Sequence, residues 1–179
     1  MTTIPLCLPD SITPEQFLSE YWQKRPLLIK QGLPQLIDMF EPDDMLGLAI
    51  EEDAAARLLT QAATKQDGLA QWQLKKSPLT ESDFDNLPEQ WTVLVQNLEQ
   101  WSPELGQLWQ AFDFIPQWQR DDIMVSYAPK GGSVGKHYDD YDVFLAQGYG
   151  QRRWQLGKFC DKNTEFVADE PIRLFDDMG

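Results

Sequence analysis

Apolar residues recur along this chain in two rhythms. Phe17, Leu18, Tyr21 and Trp22 fall at helical spacing behind Thr13-Pro14-Glu15-Gln16, which reads as a helix start: Thr13 as N-cap, Pro14 at the first helical position, Gln16 closing a capping box. This helix should stop before Pro26, because the residue preceding a proline avoids the α region. PLLIKQG (26–32) is a short β-prone run, and PDDMLGLAI (42–50) predicts a second short helix with acids in its first turn, where the macrodipole favours them. AARLLTQA and LAQWQLKK predict strands around a Lys65-Gln66-Asp67-Gly68 turn, and WTVLVQNL (91–98) a third strand, or a strand passing into helix. PELGQLWQAF (103–112) predicts a helix with Leu105, Leu108, Trp109 and Phe112 on one side. From Asp121 the rhythm becomes densely β: DIMVSYA, SVGKHYD, YDVFLAQ and RRWQLGKF, joined by glycine-containing turns. Helices and mixed strands followed by a run of antiparallel strands predict an α+β fold with a sandwich or barrel of jelly-roll type.

Composition narrows the function classes. A chain of 179 residues, 42% hydrophobic with seven tryptophans, can build a real core and is one domain or a large piece of one. A net charge of -14 argues against direct binding to a nucleic-acid backbone. It favours a basic protein partner through steering, or simply keeps the protein soluble. Cys7 and Cys160 are far apart in sequence and fit neither a zinc spacing nor a disulfide framework, so reduced thiols in a cytoplasmic protein are the default expectation. No stretch approaches the roughly 18 apolar residues of a membrane-spanning helix, and the N-terminus lacks the features of a signal peptide.

The candidate chemistry lies in GGSVGKHYDDYDVFLAQGYGQRRWQLG, residues 131–157, which contains the only histidine. In extended backbone, side chains at i and i+2 share a face, so His137 and Asp139 can converge on one point. An imidazole nitrogen beside a carboxylate is two-thirds of the 2-His-1-carboxylate triad that holds Fe(II) and leaves positions open for substrate and oxygen. The second histidine of such a triad does not exist in this chain. Gly131, Gly132 and Gly135 predict a sharp bend beside a ligand or another backbone, and they lack the Gly-Lys-Ser/Thr ending of a phosphate loop. Tyr141 alternates onto the His137/Asp139 face. Asp140 and Asp142 fall on the other and read as solvated turn carboxylates; DDYD is too short for an EF-hand calcium loop. In QRRWQLG, Arg152 alternates with Trp154 and Leu156. A cation on an apolar strand face wants a partner, and a guanidinium matches a carboxylate bidentately. Arg152 is thus a candidate anchor for a carboxylate co-substrate, the alternative being a structural ion pair or an exposed edge. An H-x-D triplet alone occurs by chance in many proteins. Glycine segment, triplet, hairpin and arginine together form a more specific signal.

These residues also carry a family resemblance. SYAPKGGSVGKHYDDYDVFLAQGYGQRRWQLG resembles the core of the bacterial ribosomal oxygenases, JmjC-type, cupin-fold Fe(II)/2-oxoglutarate enzymes that hydroxylate an arginine of a large-subunit ribosomal protein. EQFLSEYWQKRPLLIKQG resembles that family's opening helix with its W-x-K-R-P ending. The resemblance implies that His137 and Asp139 match two iron ligands and that Arg152 matches the residue binding the distal carboxylate of 2-oxoglutarate. Tyr141 and Tyr149, bordering the site, are substrate-contact candidates. It further implies that 1–179 is a single, incomplete JmjC/cupin-like domain, with a helical and mixed part over 1–120 and the first strands of a partial double-stranded β-helix over 121–179. The family's second histidine would follow on a later strand, so the chain is expected to be an N-terminal fragment, inactive by itself. Exposed strand edges would invite homodimer formation or strand-swapped association. The expected partner is a basic ribosomal protein, with no nucleic acid or membrane bound directly. The competing expectation is a non-catalytic β-rich module that binds a basic protein partner.

Overall fold

Thr13 caps the first helix in the way its spacing predicts: its hydroxyl accepts from the Gln16 amide at 3.2 Å, and the Gln16 side chain accepts from the Thr13 amide at 3.0 Å. The computed structural model describes residues 4–37, 39–64 and 70–175, with backbone only for 62–64 and 70. In chain order the elements are α1 (Pro14–Glu20), α2 (Pro42–Ala49), β1 (Ala56–Thr64), β2 (Ala70–Lys76), β3 (Trp91–Val95), α3 (Pro103–Gln107) and β4 (Val125–Tyr127), with short 3₁₀ turns between some of them. They belong to two compact units. One comprises Met1–Phe40, Asn97–Ile123 and Tyr141–Gln151; the other comprises Glu41–Gln96, Met124–Asp140 and Arg152–Gly179.

The first unit is helical. α1 ends well before Pro26, and Gln23 adopts a left-handed backbone (φ 57°), a conformation that cannot propagate a right-handed helix. PLLIKQG forms no strand. Ser102 caps α3 through Leu105 N, and the predicted ten-residue helix tightens at Leu108–Phe112 into a 3₁₀ turn, a common way for helices to end. Cys7, Phe17, Leu98, Leu105, Leu108, Ala111 and Ile115 are buried here. Phe144 lies among Phe17, Trp22, Phe112 and Phe114, with ring centroids 4.7–6.2 Å apart, and so ties the 141–151 segment to this unit.

The second unit is built on one antiparallel sheet of order β2-β1-β3-β4. β3 is its centre: Thr92, Val93, Leu94 and Val95 are all buried, with Leu58 opposite Val93 and Leu59 opposite Thr92 in β1. α2 packs against β3 and β4 and buries Met45 and Ala49. The strand predicted over 91–98 stops at Val95, and Asn97 turns left-handed (φ 57°), which asparagine tolerates. The predicted Lys65–Gly68 turn lies outside the described residues.

The α+β class stands, but the run of strands after β4 does not. SVGKHYD, YDVFLAQ and RRWQLGKF pair with nothing as strands, and Val143, Leu145, Trp154, Leu156 and Phe159 are exposed. β-propensity reports how well a segment suits a pleated, half-buried surface. A strand also requires a neighbour to receive its backbone hydrogen bonds, and the described residues provide none for these segments.

Candidate functional site

The buried centre of the sheet fixes the glycine segment. Thr92 in β3 is completely buried, and its hydroxyl donates to the Ser133 carbonyl at 2.9 Å, satisfying a polar group that would otherwise be costly to bury. Gly132 lies so close to the Trp91 carbonyl that a β-carbon there would overlap it. Gly135 takes a positive φ of 79° against Leu174 and Trp72. Of the two roles predicted for these glycines, close approach to another backbone is the one observed at Gly132.

From Gly135 the chain runs directly into the pair of interest. His137 Nε2 lies 3.8 Å from Asp139 Oδ2, and each side chain is about one-third exposed, at 34% and 37%. The triplet therefore meets as predicted, although in a segment that belongs to no ladder. His137 Nδ1 is 3.0 Å from the Gly135 carbonyl. A carbonyl only accepts, so Nδ1 carries the hydrogen in this contact, and in the neutral ring Nε2 is then the nitrogen with a free lone pair. This tautomer suits metal ligation, in which the second ring nitrogen commonly donates to a carbonyl or carboxylate. The Nε2–Oδ2 separation is too long for a hydrogen bond. The two atoms are close enough that His137 and Asp139 would be the residues to hold a metal here. Imidazole plus carboxylate suits Fe(II) chemically. No group of three potential metal donors occurs among the described residues.

The residues alternating with this pair face the 161–175 segment. The Tyr138 hydroxyl donates to the Asp161 carbonyl at 2.9 Å, and its ring stacks on Phe166 with centroids 5.4 Å apart. Asp140 is a solvated carboxylate as expected, and it is also ion-paired at 2.8 Å with Arg173, whose guanidinium holds the Asp140 carboxyl below its usual range. Arg173 was not foreseen as a site residue. It stands 33 positions from its partner, with no periodic signal linking them.

Arg152 is half-buried, and its guanidinium carbon lies 5.7 Å from the Trp154 ring centroid. The inward strand face expected for Arg152, Trp154 and Leu156 is not formed, since Trp154 and Leu156 are exposed. Tyr141 and Tyr149 are exposed members of the first unit. Asp142, in the same unit, accepts from Gln23 Nε2 at 3.0 Å.

Comparison with known proteins places the whole chain beside one group of enzymes. Residues 107–179 match the model of the JmjC domain. The whole chain is 63% identical over 179 residues to a probable ribosomal oxygenase of Haemophilus influenzae, covering 43% of that protein. It is 41% identical over 143 residues to the ribosomal protein uL16 3-hydroxylase of Escherichia coli, covering 79% of this chain and 36% of the relative. The E. coli ribosomal oxygenase YcfD, solved in complex with cobalt and 2-oxoglutarate, superposes with a TM-score of 0.71 at 38% identity, over 87% of this chain and 41% of that one. The chain thus spans less than half the length of the relatives it matches. In sequence and in fold, then, this chain is similar to the N-terminal part of the JmjC-domain ribosomal oxygenases.

Proposed function

We propose that the protein containing this chain is an Fe(II)- and 2-oxoglutarate-dependent hydroxylase that acts in the cytoplasm on an arginine of a large-subunit ribosomal protein. The observation carrying this reading is the convergence of His137 Nε2 and Asp139 Oδ2 on one point, with Nδ1 held by the Gly135 carbonyl. The likeness to the ribosomal oxygenases and the cobalt and 2-oxoglutarate complex of YcfD support it.

When bound, iron would supply the activation of oxygen for hydroxylation. The chain's own contribution is orientation. His137 and Asp139 would hold the metal, with the Gly135 carbonyl keeping the imidazole in its ligating tautomer. Arg152 would anchor the distal carboxylate of 2-oxoglutarate through a bidentate pair, and Tyr141 and Tyr149 would contact the substrate. The sequence holds one histidine, so the second histidine of a 2-His-1-carboxylate set would have to come from outside residues 1–179, which alone should bind metal weakly and turn over no substrate.

The net charge of -14 fits a cationic ribosomal-protein substrate, whose encounter it would accelerate. The same charge is what favours the second reading, a non-catalytic module for a basic partner. The two separate by mass spectrometry of a large-subunit ribosomal protein incubated with the full-length gene product, Fe(II) and 2-oxoglutarate. Gain of one oxygen on a single arginine is the expected result. Salt-sensitive binding without any modification, indifferent to metal, would favour the module.

A further inference from the structure

Resting on the donor assignment above, we propose that Arg173 is a positioning residue that fixes the His137/Asp139 pair by gripping the side chains alternating with it. Residues 137 and 139 meet each other while 138 and 140 both reach Arg173, so anchoring the second pair restricts where the first can point. Arg173 engages both anchors. One guanidinium nitrogen donates to Asp140 at 2.8 Å, while the guanidinium carbon lies 5.3 Å from the Tyr138 ring centroid and 4.6 Å from that of Phe166.

An exposed ion pair alone would hold little, and both side chains here are more than half exposed. The remaining contacts turn the pair into a clamp. The Tyr138 and Phe166 rings stack nearly parallel, 18° apart, and the Tyr138 hydroxyl reaches the Asp161 carbonyl. The backbone is tied alongside: Phe175 N donates to Lys136 O at 3.0 Å, and Val167 N donates to Leu174 O at 2.8 Å. The sheet side of the same stretch is held independently by Thr92 on Ser133. The donor pair therefore sits between a fixed sheet attachment and a clamp centred on one arginine.

The test uses the full-length gene product and Co(II) as probe, with affinity read by titration calorimetry and donor geometry by the visible absorption of bound Co(II). Arg173→Ala should raise the Co(II) dissociation constant by about tenfold or more, in the range seen when groups supporting metal ligands are removed, and should alter the spectrum. Arg173→Lys, which keeps the charge, should recover part of the loss. Asp140→Asn, a neutral isostere at an exposed position, should weaken binding by itself without threatening the fold. The double variant should be no weaker than Arg173→Ala alone, because both changes remove one coupled interaction. Unchanged affinity and spectrum in Arg173→Ala and Asp140→Asn, with binding lost in His137→Ala, would overturn the clamp and leave the donors intact. Unchanged Co(II) binding in His137→Ala would overturn the donor assignment, and the clamp with it.

Discussion

Gly135 turns left-handed directly against Leu174, so that a β-carbon at residue 135 would collide with Leu174 Cδ2 and crowd the Trp72 ring. The carbonyl of the same glycine receives His137 Nδ1. Packing and the orientation of the imidazole therefore meet at one position. Gly135→Ala should cost about 1–3 kcal/mol of stability, from the left-handed backbone and the steric overlap together. It should also weaken metal binding. Urea unfolding and a metal titration on the same variant check both effects; wild-type behaviour in both would refute the assignment.

Arg152 is predicted to act on the co-substrate. Arg152→Ala should weaken 2-oxoglutarate binding by about 10- to 100-fold, the range for losing charge-assisted hydrogen bonds, while metal affinity changes little. Arg152→Lys should recover only part, since a point charge cannot reproduce the planar fork. Equal loss of metal and 2-oxoglutarate binding would point to a structural role instead.

Cys7 should behave as an inert core thiol. It is 3% exposed, and burial pushes its pKa up to about 11 from 9.0. The folded state then holds this proton more tightly than the unfolded state does. The resulting stabilisation is full below the unfolded thiol's pKa and is lost as pH rises from about 9 towards 11. Denaturant midpoints compared between the parent and Cys7→Ala across that range should show the parent's extra decline. At neutral pH a maleimide should label the partly exposed Cys160 well before Cys7.

Phe144 should matter to stability more than its 37% exposure suggests, because it touches four other aromatic rings of its unit. Phe144→Ala is expected to cost on the order of 2 kcal/mol, below the range for a fully buried phenylalanine, while Phe144→Leu should cost less. Thermal unfolding of both variants provides the comparison, and equal melting temperatures for parent and alanine variant would count against the cluster.

Local chemistry made much of this molecule readable from its residues alone. The Thr13/Gln16 capping box, α2 and strands β1 to β3 all follow from short-range patterns, and they form close to where those patterns place them. His137 and Asp139 meet where a period of two places them, without a completed sheet around them. What the residues could not reveal depends on partners distant in sequence. YDVFLAQ and RRWQLGKF have strand-like composition, yet whether they pair is decided by what lies beside them. Arg173 is invisible to periodicity because its grip on Asp140 and Tyr138 closes a long loop. The Trp91 carbonyl that requires a glycine at 132 is likewise a tertiary neighbour.

The central claim is that His137 and Asp139 are the metal donors of a 2-oxoglutarate oxygenase. Its most direct test is Fe(II)-dependent conversion of 2-oxoglutarate to succinate by the full-length gene product, measured beside His137→Ala and Asp139→Ala. The account predicts turnover in the parent and none above background in either variant. Undiminished turnover in His137→Ala would contradict it.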